Sequence, residues 1–535
     1  MSNIIGRMKQ RNMSVLEWLM VLLLMAQVVA LLYFNLFLLG KHIGYDSSWL
    51  YLKSALIVKE RMLVNPYWAD TTHNYWDCSL PLASLIYAIT GKIFFSYGLA
   101  NMIFVALMLI VMWRLLSMLD LKSVPKLIAM NMVVCPYLTN GFDLNNDLGY
   151  FSDLLSEAAG YNIRTLIVLI FIHELLYIRQ NSKNSKWAYL ALLLCFAAGI
   201  STGFFIIVIL LLPYLIYEVE MAFIKDDIKV LKSKETIFAL CGVISVLLGK
   251  VVSKVVLGAT SIDETRTWTS LQDLWVNTGA VIQGFMILLG VMPVTSSKVE
   301  VISYVGIGYI FPIMLLLICI ISVIYAVSQT KKNLLHKDGI SLFLLNLILV
   351  NFLMFSMFNV TYGEVIFEER YLISTFMAVM ILVAIFVDEI GFEKLFAKTI
   401  TIALFVAILG DDFVSDTNYI KTNNEDWQMQ DIIELVGNEN ADLIYVWGDD
   451  LSTIGKSLRV LDMDHIYKVV YSGGGYHHEG DYLYYDDNAE YSGETMLIIP
   501  NGSDYVPDDI MSQYTLIKEL NDVSVYKCAF NPIVM

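Results

Sequence analysis

The run Met13–Leu39 is the first in a series of apolar stretches separated by short segments that carry most of the charge. A helix of about 20 apolar residues crosses the hydrocarbon core of a bilayer. Further stretches of this kind follow at 98–119, 127–139, 162–179, 187–200, 201–221, 236–256, 302–327, 340–360, 371–388 and 397–412. Their connections sort by sign. Basic segments around Arg114/Lys122/Lys126, Arg179/Lys183/Lys186, Lys225–Lys234, Lys331–Lys337 and Lys394/Lys398 alternate with acid-bearing loops at 140–161, 258–276 and 361–369. Basic loops stay in the cytoplasm, and Arg7, Lys9 and Arg11 precede the first run. The pattern therefore predicts a polytopic α-helical membrane protein of 11 crossings, with the N-terminus cytoplasmic and the C-terminus outside. Two more apolar stretches, 79–96 and 277–293, break the alternation. Each is a re-entrant or interfacial element, or both cross and the count becomes 13 with the same end location.

The period changes after residue 412. "NADLIYVWGDD", "ETMLIIPNGSD" and "NDVSVYKCAF" have the length and turn-residue borders of strands, and "DWQMQDIIELVG" reads as an amphipathic helix stopped by glycine. Residues 1–412 are thus expected to form the membrane domain, with an outer loop at 40–78 bearing surface helices. Residues 413–535 are expected to form a small extracytoplasmic α/β domain.

Composition agrees: 57% of the residues are hydrophobic and 16% charged, with mean hydropathy +0.63, more apolar surface than a soluble domain of this length can hide. The net charge of −16 is not spread evenly, since residues 412–535 hold 23 Asp/Glu against 6 Lys/Arg. An acidic tail domain of this kind argues against nucleic acid as a partner. The six cysteines show no metal-ligand spacing. Most fall in apolar stretches as packing residues, and only Cys78 and Cys528 are placed where a disulfide between them is open.

Candidate chemistry concentrates in the acid-bearing loops. In "HIGYDSSWLYLKSALIVKERMLVNPYW" the carboxylate of Asp46 stands just past a span, where it can accept a proton from a hydroxyl; a solvated loop residue or helix cap is the plainer alternative. Tyr45, Trp49, Tyr51, Tyr67 and Trp68 suit a headgroup-level aromatic belt, and Lys53, Lys59 and Arg61 suit a helix lying along the membrane surface. The loop "NGFDLNNDLGYFSDLLSEAAGYN" offers Asp143 and Asp147 as further catalytic candidates, while Asp153 and Glu157 are expected on the wet face of a helix at 150–159. Such carboxylates also bind divalent cations, so the question of a cofactor stays open. In "VIFEERYLIST", Arg370 sits at the mouth of a span, where its planar donors can grip a phosphate or pair with Glu368 or Glu369. Lys250 and Lys254, four apart near the end of a span, suit an anion or snorkelling to the interface; Arg266 is a weaker candidate in the loop that follows. His477, His478 and Glu479 have no companion ligands at metal spacing and read as a polar loop.

The order of span, "GYDSSWLYLKSAL", "NPYWAD" and "WDCSLPLASLIYAITGKIFF" resembles the first extracytoplasmic loop of the GT-C glycosyltransferases, the superfamily of protein mannosyltransferases and the aminoarabinose transferase. Asp46, Tyr51, Pro81, Leu82 and Gly91 occupy the positions of that pattern, and Arg370-Tyr371 resembles the Arg-Tyr pair opening a late helix in polyprenyl-phosphate-dependent members. Two departures stand out. Ser47 replaces the second acid of some members, and "AGISTGFF" carries Thr202 and Gly203 where a lysine is frequent. The resemblance implies an enzyme moving a sugar from a polyprenyl-phosphate-linked donor to a glycan, lipid or protein acceptor of the envelope, with inversion. It implies Asp46 as the base, Asp143 or Asp147 in support, and Arg370, Tyr371, Glu369, Lys250, Lys254 and Arg266 around the carrier. The competing class is a transporter, flippase or polysaccharide polymerase. Transporters place ionisable groups at mid-membrane and show repeated halves, whereas here the charges lie at span ends and the halves do not match.

Overall fold

Ser14 starts the first helix: its hydroxyl accepts from the Glu17 amide at 3.3 Å and the Glu17 carboxylate accepts from the Ser14 amide at 2.8 Å, satisfying two orphaned donors. From there α1 (Val15–Tyr33) continues through a π turn at Phe34–Leu38 and a 3-10 turn at Leu39–Lys41. The computed structural model describes residues 14–63, 75–135, 150–157, 160–201, 203–256, 266–291, 302, 310–336, 339–358, 360–361, 364–365, 369–390, 405, 409–410, 428–439, 441, 443–475 and 493–533.

Twelve more helices complete the described membrane part: α2 (Tyr45–Glu60), α3 (Leu80–Thr90), α4 (Ile93–Met118), α5 (Ser123–Val134), α6 (Asn162–Asn181), α7 (Trp187–Ile200), α8 (Leu212–Lys225), α9 (Lys234–Val251), α10 (Leu274–Leu288), α11 (Ile310–His336), α12 (Ile340–Met357) and α13 (Ile373–Glu389). Among the described residues seven helical stretches are long and apolar enough to cross a bilayer, those built on α1, α4, α8, α9, α11, α12 and α13. Helices α3, α5, α7 and α10 are apolar but shorter. Helix α6 is long yet carries Arg164, Glu174 and Arg179, and it is buried along most of its length. The predicted stretch 79–96 is divided in two. Helix α3 ends at Gly91, whose φ of 64° is easy for glycine, and α4 begins two residues later. The predicted stretch 277–293 corresponds to α10, and most of 397–412 lies outside the described residues.

Small residues set the closest crossings. A Cβ on Gly199 of α7 would meet the Val246 carbonyl of α9, and one on Gly249 of α9 would meet the Phe196 carbonyl of α7. Without a hydrophobic driving force between helices in lipid, such close backbone approach supplies much of the association.

A three-stranded sheet, β1 (Arg266–Thr267), β2 (Val360–Thr361) and β3 (Glu364–Val365), ties the segment after α9 to the segment after α12. The C-terminal unit adds α14 (Gln428–Asn438), α15 (Ser452–Leu461) and a five-stranded sheet of order β5-β4-β6-β8-β7. Its strands are β4 (Leu443–Trp447), β5 (Ile466–Val470), β6 (Thr495–Pro500), β7 (Thr515–Glu519) and β8 (Val523–Cys528). Strand β4 runs parallel to both β5 and β6, and α15 supplies the β4-to-β5 crossover that a parallel pair requires. Helix α15 also docks on α2: Val460 joins the core of the membrane part, and the buried Ser457 hydroxyl donates to the Ile43 carbonyl at 3.2 Å.

Packing against the membrane part corrects the surface-helix expectation for α2. Trp49 and Tyr51 are buried, against Tyr75 and against Phe94 and Tyr97 respectively, and Lys53 is 4% exposed. Lys59, Glu60 and Arg61 at its end are exposed. Cys78 and Cys528 are both buried free thiols, so the disulfide left open above is not formed.

Candidate active site

Asp46 lies in the first turn of α2. Gly44 precedes the helix in extended conformation, its amide donates to the Ser47 hydroxyl at 2.8 Å, and that hydroxyl donates back to the Gly44 carbonyl at 3.1 Å. The local serines thus fix where the helix begins, which leaves Asp46 at its positive end. The backbone of Asp46 is described and its side chain is not.

Facing this helix start is a turn from the second acidic loop. A Cβ on Gly44 would lie 3.2 Å from Glu157 Oε2, so the carboxylate abuts the chain two residues before Asp46. Burial, reinforced by the Glu157 charge, raises the Tyr51 phenol well above its ordinary range and keeps it protonated. Four residues earlier, Asp153 Oδ1 is 3.7 Å from Arg370 Nη1 in a half-buried ion pair. The 153–157 turn therefore touches the start of α2 at one end and Arg370 at the other, and four residues of chain span at most about 14 Å. The expected helix at 150–159 and its wet face are corrected accordingly. The chain makes a π turn at Phe151–Leu155 and breaks at Ser156, and both acids face protein groups.

Buried amides hold the turn in place. Asn35 on the continuation of α1 donates to the Leu155 carbonyl at 3.0 Å, and Asn101 of α4 donates to the Glu157 carbonyl at 2.7 Å and to Asn35 Oδ1 at 3.0 Å. Ser79 bonds Asn101 and receives the Asn162 amide at the start of α6. Each link satisfies a polar group that would be costly to bury alone.

Beside Arg370 stands an aromatic wall. The buried Tyr371 ring lies 5.9 Å from Phe355, 6.4 Å from Phe205 and 6.5 Å from Tyr161. The Tyr161 amide donates to the Asp153 carbonyl at 2.8 Å, and the Arg164 guanidinium lies 4.4 Å from the Tyr161 ring centre. Arg164 in turn pairs with Asp77 through Nε at 2.9 Å and Nη2 at 3.3 Å, and the Ser201 hydroxyl donates to the same carboxylate at 2.6 Å. Both partners of the pair are buried. Asp77 and Arg164 did not stand out in the sequence, where an acid in "WDCSLPL" and an arginine inside an apolar stretch were the available signals; Asp153 and Glu157 were expected only on a wet helix face.

The remaining candidates separate. Lys250 reaches the Gly203 turn, where Nζ would be 3.3 Å from a Cβ, and Gly203 is two residues before Phe205 of the aromatic wall. Lys254, expected on the same helical face, sits in the π turn Val252–Val256 and is exposed; the widened turn rotates it away from the α-helical i, i+4 position. Arg266 opens β1 opposite Thr361, with its side chain outside the described atoms. Glu369 is half-buried in the 3-10 turn before α13, and Arg370 pairs with Asp153 of the second acidic loop. Asp143, Asp147, His477, His478 and Glu479 lie outside the described residues. Among the described residues no group of three His, Cys, Asp or Glu is placed to hold a metal ion.

No protein-family model matches the sequence, and no curated protein matches it. Solved structures do. The crystal structure of ArnT from Cupriavidus metallidurans bound to undecaprenyl phosphate superposes with a TM-score of 0.58 at 10% identity, over 96% of this chain and 98% of that chain. The apo structure of the same protein matches at 0.43 and 10% identity, over 95% and 97%. The chain thus has the fold of ArnT: a polytopic helical membrane domain followed by a small C-terminal sheet domain.

Proposed function

With that fold as the starting point, we propose that the protein is a membrane glycosyltransferase that uses a polyprenyl-phosphate-linked sugar as donor. ArnT, its structural neighbour, is solved with undecaprenyl phosphate bound. The observation that carries the proposal for this chain is the Asp153–Arg370 pair beside Tyr371, joined through one turn to the start of the helix that bears Asp46. A carboxylate at one edge and a cation at the other are the two ends that an inverting transfer needs.

In this scheme Asp46 takes the proton of an acceptor hydroxyl as its oxygen attacks the anomeric carbon. The bond from that carbon to the carrier phosphate breaks with inversion, and the lipid phosphate leaves with the bonding pair. Arg370, held by Asp153, and Lys250 at the Gly203 turn face the growing negative charge; a bidentate guanidinium suits a phosphate monoester. The Tyr371, Phe205 and Phe355 rings offer an apolar wall for the first isoprene units. Asp143 and Asp147 are held in reserve for the base, and Arg266 and Lys254 for outer contacts with the donor. The acceptor is an envelope glycan, lipid or protein, and the site faces the exterior leaflet.

The test is transfer of labelled sugar from a polyprenyl-phosphate hexose by purified protein in lipid. Asp46→Asn is expected to lower the rate by about 10²–10⁴, the range of a positioned general base. Arg370→Gln is expected to lower it by about 10²–10³, as for loss of one oxyanion donor. Undiminished transfer by Asp46→Asn moves the base to Asp143 or Asp147. No transfer or hydrolysis by the native protein with any such donor ends the proposal.

A further inference from the structure

At the opposite end of the same helices lies a second site. Helices α4 and α6 hold the candidate site with their beginnings, through Asn101, Asn162 and Arg164. At 1.5 Å per residue, the 20 residues of α6 extend about 30 Å, one hydrocarbon thickness, so its last turn lies at the other face of the membrane. There the ends of α4 and α6 and the start of α7 enclose a groove of about 620 Å³ lined by Trp113, Arg114, Tyr177, Gln180, Lys186 and Trp187, among others.

Cations and indoles alternate around it. The Arg114 guanidinium lies 5.5 Å from the centre of the Trp187 ring, and the Lys126 ammonium lies 5.2 Å from the Trp113 ring while donating to the Ser117 hydroxyl at 3.0 Å. Neither Arg114 nor Lys186 forms an ion pair among the described residues. The acid beside the groove, Glu174, is fully buried and already accepts from the Ser185 hydroxyl, the Ser185 amide and His173. Apolar surface continues from each cation along the helix toward the bilayer centre. On α4, Ile110 and Ile103 precede Arg114 at helical spacing and are 47% and 38% exposed; on α7, Tyr189 and Leu193 follow Lys186 at helical spacing and are 75% and 62% exposed.

The geometry points to this groove as a binding site for the headgroup of an anionic glycerophospholipid in the leaflet opposite the candidate active site. Its phosphodiester lies between Arg114 and Lys186, its glycerol against Trp113 and Trp187, and its acyl chains along the Ile110 and Leu193 stripes. Basic pockets between spans recognise such headgroups, and indoles favour that depth. Inorganic phosphate shares the anionic chemistry but has no use for the apolar stripes.

Native mass spectrometry of the full-length protein, titrated with phosphatidylglycerol, phosphatidylcholine or inorganic phosphate, tests this. Phosphatidylglycerol is expected to be retained about tenfold better than phosphatidylcholine, the effect of one or two charge-assisted hydrogen bonds, and to resist displacement by phosphate. The double variant Arg114→Gln/Lys186→Gln is expected to lose the preference, while Lys183→Gln keeps it. If the double variant does not fold, Lys186→Gln alone, at an exposed position, should reduce the preference about threefold. Equal retention of the two lipids, an unchanged preference in the foldable variants, or displacement of lipid by phosphate overturns the inference.

Discussion

Asp77 and Arg164 are 87 positions apart and meet in the interior with Ser201 as a third partner. Removing one member of such a pair strands a buried charge, which costs about 3–5 kcal/mol. Asp77→Asn is therefore expected to lower the melting temperature of the detergent-purified protein by several degrees, more than Ser201→Ala, which removes a single hydrogen bond. A near-silent Asp77→Asn would mean that the pair is solvated. His42 makes a second prediction. Burial, aided by the Lys41 charge, lowers its imidazole from 6.5 to about 4, and it packs on Phe34 at 4.8 Å. Between those values the unfolded chain binds a proton that the folded chain does not. Stability is thus complete above pH 6.5 and falls as the pH drops toward 4, by about 3 kcal/mol for this group. His42→Phe keeps the ring contact and should flatten that acid limb, read as melting temperature against pH; an unchanged slope would contradict the assignment.

Among the elements, the α7–α9 crossing sets where Lys250 and the turn it reaches lie, because Gly249 precedes Lys250 and Gly199 is four residues before Gly203. Any side chain on either glycine must push the helices apart. Gly249→Val is expected to cost about 1–3 kcal/mol by overpacking and to displace Lys250 from the Gly203 turn. Its signature in the transfer assay is a raised KM for the donor at a smaller loss in kcat, whereas Gly279→Ala, where a Cβ meets nothing within 4 Å, leaves both unchanged. Equal effects of the two substitutions would remove the crossing from the account of the site.

Across the whole molecule, the C-terminal unit reaches back over more than 400 positions to the helix that carries Asp46, through Ser457 and the Ile43 carbonyl. The contact falls just before the first turn of α2, a helix on which Lys53 is buried. Ser457→Ala leaves the Ile43 carbonyl without its donor and is expected to cost about 1–3 kcal/mol. Hydrogen exchange should rise in the first turns of α2 and not in α11, which lies elsewhere in the bundle. Uniform exchange across both helices would mean that the two units dock without mutual support.

Helical membrane architecture and the strands of the tail could be read from the chain because they rest on local properties. An apolar run of bilayer length must be a helix in lipid, and "LIYVW", "TMLIIP" and "VSVYKC" became β4, β6 and β8. That Asp46, Arg370 and Tyr371 stand at the ends of helices was also visible, since each lies next to a span that announces itself. Only the tertiary structure decided that Arg370 meets Asp153, that Asp77 meets Arg164, and that α15 docks on α2. Those outcomes join residues 87 to 414 positions apart, and no periodicity encodes them. Partners at such distances are chosen by which helices pack together, and packing is a property of the assembled bundle.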